Sequence, residues 1–167
     1  MAYDYNKLYG ETRNALGAPT PAFVDFFDRF SKNDARVLDV GCGQGRDALF
    51  IARKGHRVVG VDIAPNGIAD LRAAAEAEGL RVEGVVADIV TYRPEGMFDV
   101  IVVDRTLHML EKTERCGVLK TLLDHVAEAG RVLIADEPSN RADFEAVIAA
   151  QSARWIPEVK RRGTLFL

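Results

Sequence analysis

The feature that most constrains this chain is the stretch Arg36-Val-Leu-Asp-Val-Gly-Cys-Gly-Gln-Gly45, an apolar run that breaks into three glycines at alternate positions. Val37, Leu38 and Val40 suit a strand covered on both faces, where hydrophobicity need not alternate. Gly41, Gly43 and Gly45 then permit a sharp turn and let backbone approach a ligand without side chains in between. A second apolar run, Arg57-Val-Val-Gly-Val-Asp62, ends in an acid that stands 21 residues after Gly41. That spacing suits a carboxylate at the tip of the neighbouring strand, accepting hydrogen bonds from a ribose diol. Together the two runs imply an adenosine-containing ligand held at strand ends.

The rest of the sequence alternates strand-like and helix-like stretches, the pattern of an α/β fold with a parallel sheet. Thr20-Pro21 reads as a helix start, with Thr as N-cap and Pro at the first helical position. Phe23, Phe26, Phe27 and Phe30 follow as one apolar stripe, a packing surface. Expected strands are 36–40, 57–62, 81–87, 98–103 and 131–135. Expected helices are 46–54, 65–78, one carrying Val118, Leu119, Leu122, Leu123 and Val126 and ending near Gly130, and 141–151. Segments 154–160 and 163–167 both look strand-like, and the two residues between them are too few for a parallel crossover, so they form an antiparallel hairpin. Pro157 belongs at an edge or bulge of that hairpin. The last strand runs to Leu167 on apolar residues, which leaves room for it to continue.

Composition narrows the function. Hydrophobic content of 48% and charged content of 28% fit a globular domain. We expect a single domain, 1–167, with residues 1–33 as a helical approach segment or lid and 34–167 as the core. Net charge is −3, and the longest basic block is Lys160-Arg161-Arg162, which argues against a nucleic-acid partner. The absence of a long apolar segment argues against a membrane span. Met1-Ala-Tyr-Asp-Tyr lacks the charged and apolar parts of a secretory signal, so the expectation is a cytoplasmic protein, monomer or homodimer. Cys42 and Cys116 are expected as free thiols, and three scattered histidines give no metal site.

The glycine spacing is G-x-G-x-G, whereas the dinucleotide fingerprint G-x-G-x-x-G/A needs Gly or Ala where Arg46 stands. Within Val-Leu-Asp-x-Gly-x-Gly-x-Gly the chain resembles motif I of the class I S-adenosylmethionine-dependent methyltransferases. The resemblance covers nearly the whole chain. It implies S-adenosylmethionine as cofactor and a Rossmann-like doubly wound sheet, mostly parallel, with an antiparallel C-terminal strand hairpin and helices on both faces. The run 39–47, the Ala15-Leu-Gly-Ala-Pro-Thr-Pro21 approach and the compact size are similar to the tellurite-resistance and thiopurine methyltransferase groups. That likeness implies a small-molecule acceptor, a thiol or a chalcogen oxyanion. The Asn/Asp-Pro-Pro-Tyr motif of amino-group methylases is absent, since Asp104 is followed by Arg-Thr-Leu.

On this resemblance Gly41, Cys42, Gly43 and Gly45 wrap the amino-acid part of the cofactor, and Asp39 orders the loop. Asp62 binds the ribose, Ile63 lies against the adenine, and Asp88 with Ile89 meets the adenine edge. Arg46 opposes the dipole of the helix it starts, so it either faces a partner carboxylate, the cofactor's or Asp47, or lies on the surface in a plain solvated role. Asp104 belongs near the methionyl end, with His108 after it as a general base or as a packed histidine in a short helix. Asp136 and Glu137 either line the acceptor pocket or cap a helix. Tyr3, Tyr5 and Tyr9 are candidates for closing over the site. Two other classes share the same glycines and acid: a nicotinamide oxidoreductase, and a non-catalytic S-adenosylmethionine-binding protein.

Overall fold

The apolar runs become the parallel part of one sheet, and the central ones are buried along nearly their whole length because both of their faces are covered. The computed structural model describes residues 4–167. Its parallel strands are β1 (Arg36–Val40), β2 (Arg57–Asp62), β3 (Val82–Val86), β4 (Phe98–Asp104) and β5 (Val126–Ala135), joined by the short antiparallel strands β6 (Val159–Arg161) and β7 (Thr164–Phe166). The order across the sheet is β3-β2-β1-β4-β5-β7-β6. The expected Rossmann-like architecture with its C-terminal hairpin is therefore present.

Helices α1 (Tyr5–Glu11), α2 (Pro21–Arg29), α3 (Arg46–Arg53), α4 (Pro65–Glu78), α5 (Lys112–Leu123) and α6 (Arg141–Ala149) connect and cover the strands. One apolar core gathers Leu38, Val40, Ile101 and Val103 of the sheet with Leu119 and Leu122 of α5 and Phe144 of α6. The other gathers Val37, Val58, Val100 and Val102 with Phe23, Phe27, Ala48, Ile51, Ile68 and Leu71 of α2, α3 and α4. Alternate residues of one strand thus feed opposite cores, as the pleat requires. The phenylalanine stripe does pack: Phe23 stacks on Phe166 of β7 at 5.7 Å, which ties α2 to the last strand.

Two expectations need correction. The helix foreseen to end near Gly130 stops at Leu123, and β5 begins at Val126. Pairing with β4 overrides the helix preference of Ala127-Glu-Ala: the register passes from Phe98↔Val126 to Val100↔Arg131, so the intervening residues bulge. Gly130 serves that bulge, since a Cβ there would meet the Ala127 carbonyl oxygen at 2.8 Å. In the hairpin, pairing is confined to Val159–Arg161 rather than 154–160, because Pro157 has no N–H to give an edge ladder.

His56, just before β2, is buried against Phe27 and Phe30, with ring centroids 5.7 and 5.8 Å away. Its Nδ1 accepts the Ala35 N–H at 3.3 Å, which requires the neutral ring. Burial lowers its pKa from the ordinary 6.5, with Lys54 and Arg81 adding to the fall and Asp34 and Asp99 opposing it. Below that ordinary value the unfolded chain binds the proton first, so stability falls as pH falls. Melting curves between about pH 7.5 and pH 5.5 should show a falling midpoint, with a shallower fall in His56→Gln.

Candidate functional site

The strand order reverses between β1 and β4, and the crevice beyond their carboxyl ends is where such sheets bind ligands. The glycine loop leaves β1 there with φ of +75° at Gly41, +53° at Gly43 and +86° at Gly45. A Cβ on Gly41 would collide with Thr106, one on Gly43 would lie 2.5 Å from the Tyr9 hydroxyl, and one on Gly45 would collide with Leu71. Each glycine therefore admits a different neighbour. Thr106, just past β4, donates to the Val40 carbonyl at 3.0 Å and locks the two strand ends together.

The loop engages four of its own N–H groups. Gly41 and Cys42 N–H both donate to the Val61 carbonyl, at 2.7 and 3.1 Å, and Gly45 N–H donates to the Cys42 carbonyl at 2.8 Å. Gly43 N–H donates to Asp62 Oδ2 at 2.8 Å, and Ala64 N–H to Asp62 Oδ1 at 2.8 Å. The Cys42 thiol is buried towards Gly60 of β2, and burial pushes its pKa up, so this residue offers backbone alone to a ligand.

Asp62 is thus fixed at the tip of β2 and half-buried, with Ile63 beside it 65% exposed. An apolar side chain left that open next to an anchored carboxylate suits a flat apolar ligand surface. Asp88 is exposed beyond β3, where it accepts the Val90 N–H at 2.9 Å, and Ile89 packs half-buried on the core.

Beneath the loop lies a buried charge cluster. Asp39, Asp47 and Asp104 all have side chains nearly sealed from solvent. Arg46 donates through Nε and Nη2 to Asp47 Oδ2, at 3.1 and 2.7 Å, and also contacts Asp104 Oδ2. The cost of a cation in the first turn of α3 is offset by these two carboxylates. Burial raises the Asp39 pKa well above its ordinary value, reinforced by Asp47, while the Ala48 N–H faces it and favours the anion. Burial raises the pKa of Asp47 as well, with Arg46 pulling it back. Asp39 Oδ2 and Asp104 Oδ1 are left without a partner.

Thr20 precedes α2 as expected, yet it does not cap it. Its hydroxyl donates instead to Asp104 Oδ2 at 2.7 Å, and its N–H to Asp47 Oδ1 at 3.3 Å. The approach segment is therefore latched to the charge cluster.

A second latch was not read from the sequence. Gln44, buried in the glycine loop, donates to the Thr12 carbonyl at 2.8 Å and to Asp70 at 2.7 Å, and accepts the Ala15 N–H at 2.9 Å. Its only sequence signal is an amide among glycines. Tyr9 of α1 is buried over Gly43, and burial together with Asp62 raises its pKa far above the ordinary 10. Its ring lies 5.9 Å from that of Tyr5, while Tyr3 lies outside the described residues.

Beyond β4, His108 sits in the short 3₁₀ turn Leu107–Met109. Its N–H donates to Asp136 Oδ2 at 3.1 Å, and its Nδ1 lies 3.7 Å from the same oxygen, too far for a hydrogen bond. Asp136 is buried and also accepts from Glu137 N–H at 2.7 Å and Asn140 Nδ2 at 3.0 Å. It therefore lies behind the histidine and caps the next turn, while Glu137 stays exposed. Among the described residues, no cluster of His, Cys, Asp and Glu is placed to hold a metal ion, and no helix is long and apolar enough to cross a membrane.

Comparison with known proteins agrees with this fold. The methyltransferase domain family matches residues 37–130. A 2-heptyl-1-hydroxyquinolin-4(1H)-one methyltransferase of Mycobacteroides abscessus is 30% identical over 135 residues, covering 78% of this chain. The chain spans 59% of that relative's length and 54% of that of a Geobacillus relative. The crystal structure of TehB from Haemophilus influenzae superposes with a TM-score of 0.68 at 27% identity, covering 80% of this chain and 46% of that one. A TehB-like S-adenosylmethionine-dependent methyltransferase from Corynebacterium glutamicum shares the fold, with a TM-score of 0.69 at 24% identity over 86% of this chain and 82% of that one.

Proposed function

The chain belongs to the methyltransferase domain family, and from that premise we propose that it transfers a methyl group from S-adenosylmethionine to a small-molecule acceptor. The observation that carries this reading is the charge cluster. The carboxyl groups of Asp39, Asp47 and Asp104 gather around the single guanidinium of Arg46, and Asp62 adds a further carboxylate at the rim. Such a cradle suits a cationic ligand. It disfavours a pyrophosphate, which would need free loop N–H groups, and those of Gly41, Cys42, Gly43 and Gly45 are engaged. The nicotinamide alternative is weakened by the same facts.

When bound, S-adenosylmethionine supplies a methyl group on a sulfonium, open to in-line displacement. The chain's own residues position and shield. Asp62 holds the ribose hydroxyls while keeping its two backbone donors, since each carboxylate oxygen has a second lone pair. Ile63 and Ile89 supply apolar contact for the adenine, with Asp88 at its edge. Asp104 Oδ1, buried and without a partner, takes a donor from the cationic methionyl end. Tyr9 and the segment latched by Gln44 and Thr20 exclude water.

His108, with Asp136 behind it, takes the proton from acceptors that must lose one; thiolates and oxyanions need no such help. We favour a thiol or chalcogen oxyanion as acceptor. The test is transfer of labelled methyl to a panel of thiols, selenite, tellurite and phenols. Transfer to at least one class is expected, and His108→Gln should impair phenols far more than thiolates. Tight donor binding with no transfer to any class would make this a non-catalytic binder.

A further inference from the structure

Arg105 directly follows the last residue of β4, at the point where the strand order reverses. Among the described residues, four non-glycine positions have a positive φ, namely Asn14, Asp34, Arg105 and Ala129. Asn and Asp tolerate that region, and Ala129 lies in the β5 bulge. Arg105, at φ +50°, is the one long side chain among them. Its N–H donates to the Ala135 carbonyl at 2.7 Å, which pins the strained backbone between the ends of β4 and β5. Glycine would hold this conformation without strain, so the side chain has to account for the arginine. Strain of this kind collects at functional sites.

The guanidinium has no use within the fold. Arg105 is exposed and forms no hydrogen bond or ion pair through its side chain among the described residues, although Asp104 adjoins it in the chain. Asp104 is instead committed to Arg46 and Thr20. Arg46 is equally committed, so the cluster beneath the loop has no cation to spare for an acceptor. Apolar surface lies close along the chain: Met109, four residues on, is 49% exposed.

We propose that Arg105 is the acceptor-recognition residue, and that the physiological acceptor is an organic molecule with an apolar body and a carboxylate or phosphate group paired with this guanidinium. The inference rests on the donor reading above and names the acceptor class for the same site. Arginine suits the role because its planar fork binds such groups with two parallel hydrogen bonds.

The test uses protein saturated with S-adenosylhomocysteine, titrated under reducing conditions with 4-mercaptobenzoate and with its methyl ester. Wild type should bind the carboxylate about tenfold or more tightly than the ester, a preference of the size one charge-assisted pair supplies. In Arg105→Gly that preference should fall to near unity while the melting temperature holds or rises, because glycine relieves the strained backbone. Arg105→Lys should retain part of it. Equal binding of the two probes by wild type, a preference that survives Arg105→Gly, or no binding of either probe would overturn the proposal. Failure of S-adenosylhomocysteine itself to bind would instead remove the donor reading on which it rests.

Discussion

Asp62→Ala is expected to weaken S-adenosylmethionine binding by about 100-fold or more. Two hydrogen bonds from a ribose diol to a carboxylate contribute about 1.5–3 kcal/mol each when the acceptor is charged. Asp62 is preorganised to accept them, because Gly43 N–H and Ala64 N–H fix its oxygens, each at 2.8 Å, and little ordering remains to be done on binding. The same contacts mean that alanine also frees two backbone donors and loosens the loop. Asp62→Asn separates the effects, because its amide offers one acceptor oxygen where the carboxylate has two. Titration calorimetry should rank wild type above Asn and Asn above Ala. A loss of less than about threefold in the alanine variant would remove the ribose assignment.

Arg46→Ala should be the most destabilising single change near the site, at about 3–5 kcal/mol. The variant leaves Asp47 and Asp104 buried with no compensating cation, and the Thr20 hydroxyl alone cannot neutralise Asp104. The corresponding fall in melting temperature is about 10 °C for a chain of this size. The pH dependence gives a sharper check. Burial already raises the Asp47 pKa, and Arg46 is the influence that pulls it down, so removing the guanidinium pushes it up further. A carboxyl with a raised folded pKa destabilises the fold while ionised and stops doing so as pH falls through that pKa. The gap between variant and wild type should therefore narrow on acidification. A gap that is constant with pH would mean that Arg46 acts through packing rather than charge.

The parts of the fold legible in the sequence are those set by local pattern. Runs such as Val37-Leu-Asp-Val40 and Phe98-Asp-Val-Ile-Val-Val103 can only be strands covered on both faces, and glycines at 55 and 79 close the helices before them. Gly41, Gly43, Gly45 and Asp62 were legible because their spacing reflects one turn and one crossover. The contacts that were not legible join residues far apart in the chain. Thr20 looks like an N-cap, and only the folded chain brings Asp104, 84 positions away, to its hydroxyl. Gln44 carries little pattern beyond an amide among glycines, since its partners Thr12, Ala15 and Asp70 are collected by the fold. Ala127-Glu-Ala-Gly130 misleads for a related reason: its composition favours helix, and the register with β4 turns it into a bulge.

The charge of the ligand that the glycine loop accepts decides between a sulfonium donor and a dinucleotide. Titration of the purified chain with S-adenosylmethionine, S-adenosylhomocysteine and NAD measures it directly. Binding of the first two at micromolar concentration, with no detectable heat from NAD, is the result the buried carboxylates and the engaged loop N–H groups predict. Binding of NAD without S-adenosylmethionine would contradict it, because a pyrophosphate would then be seated on a loop whose glycine N–H groups are already engaged and beside carboxylates that repel it.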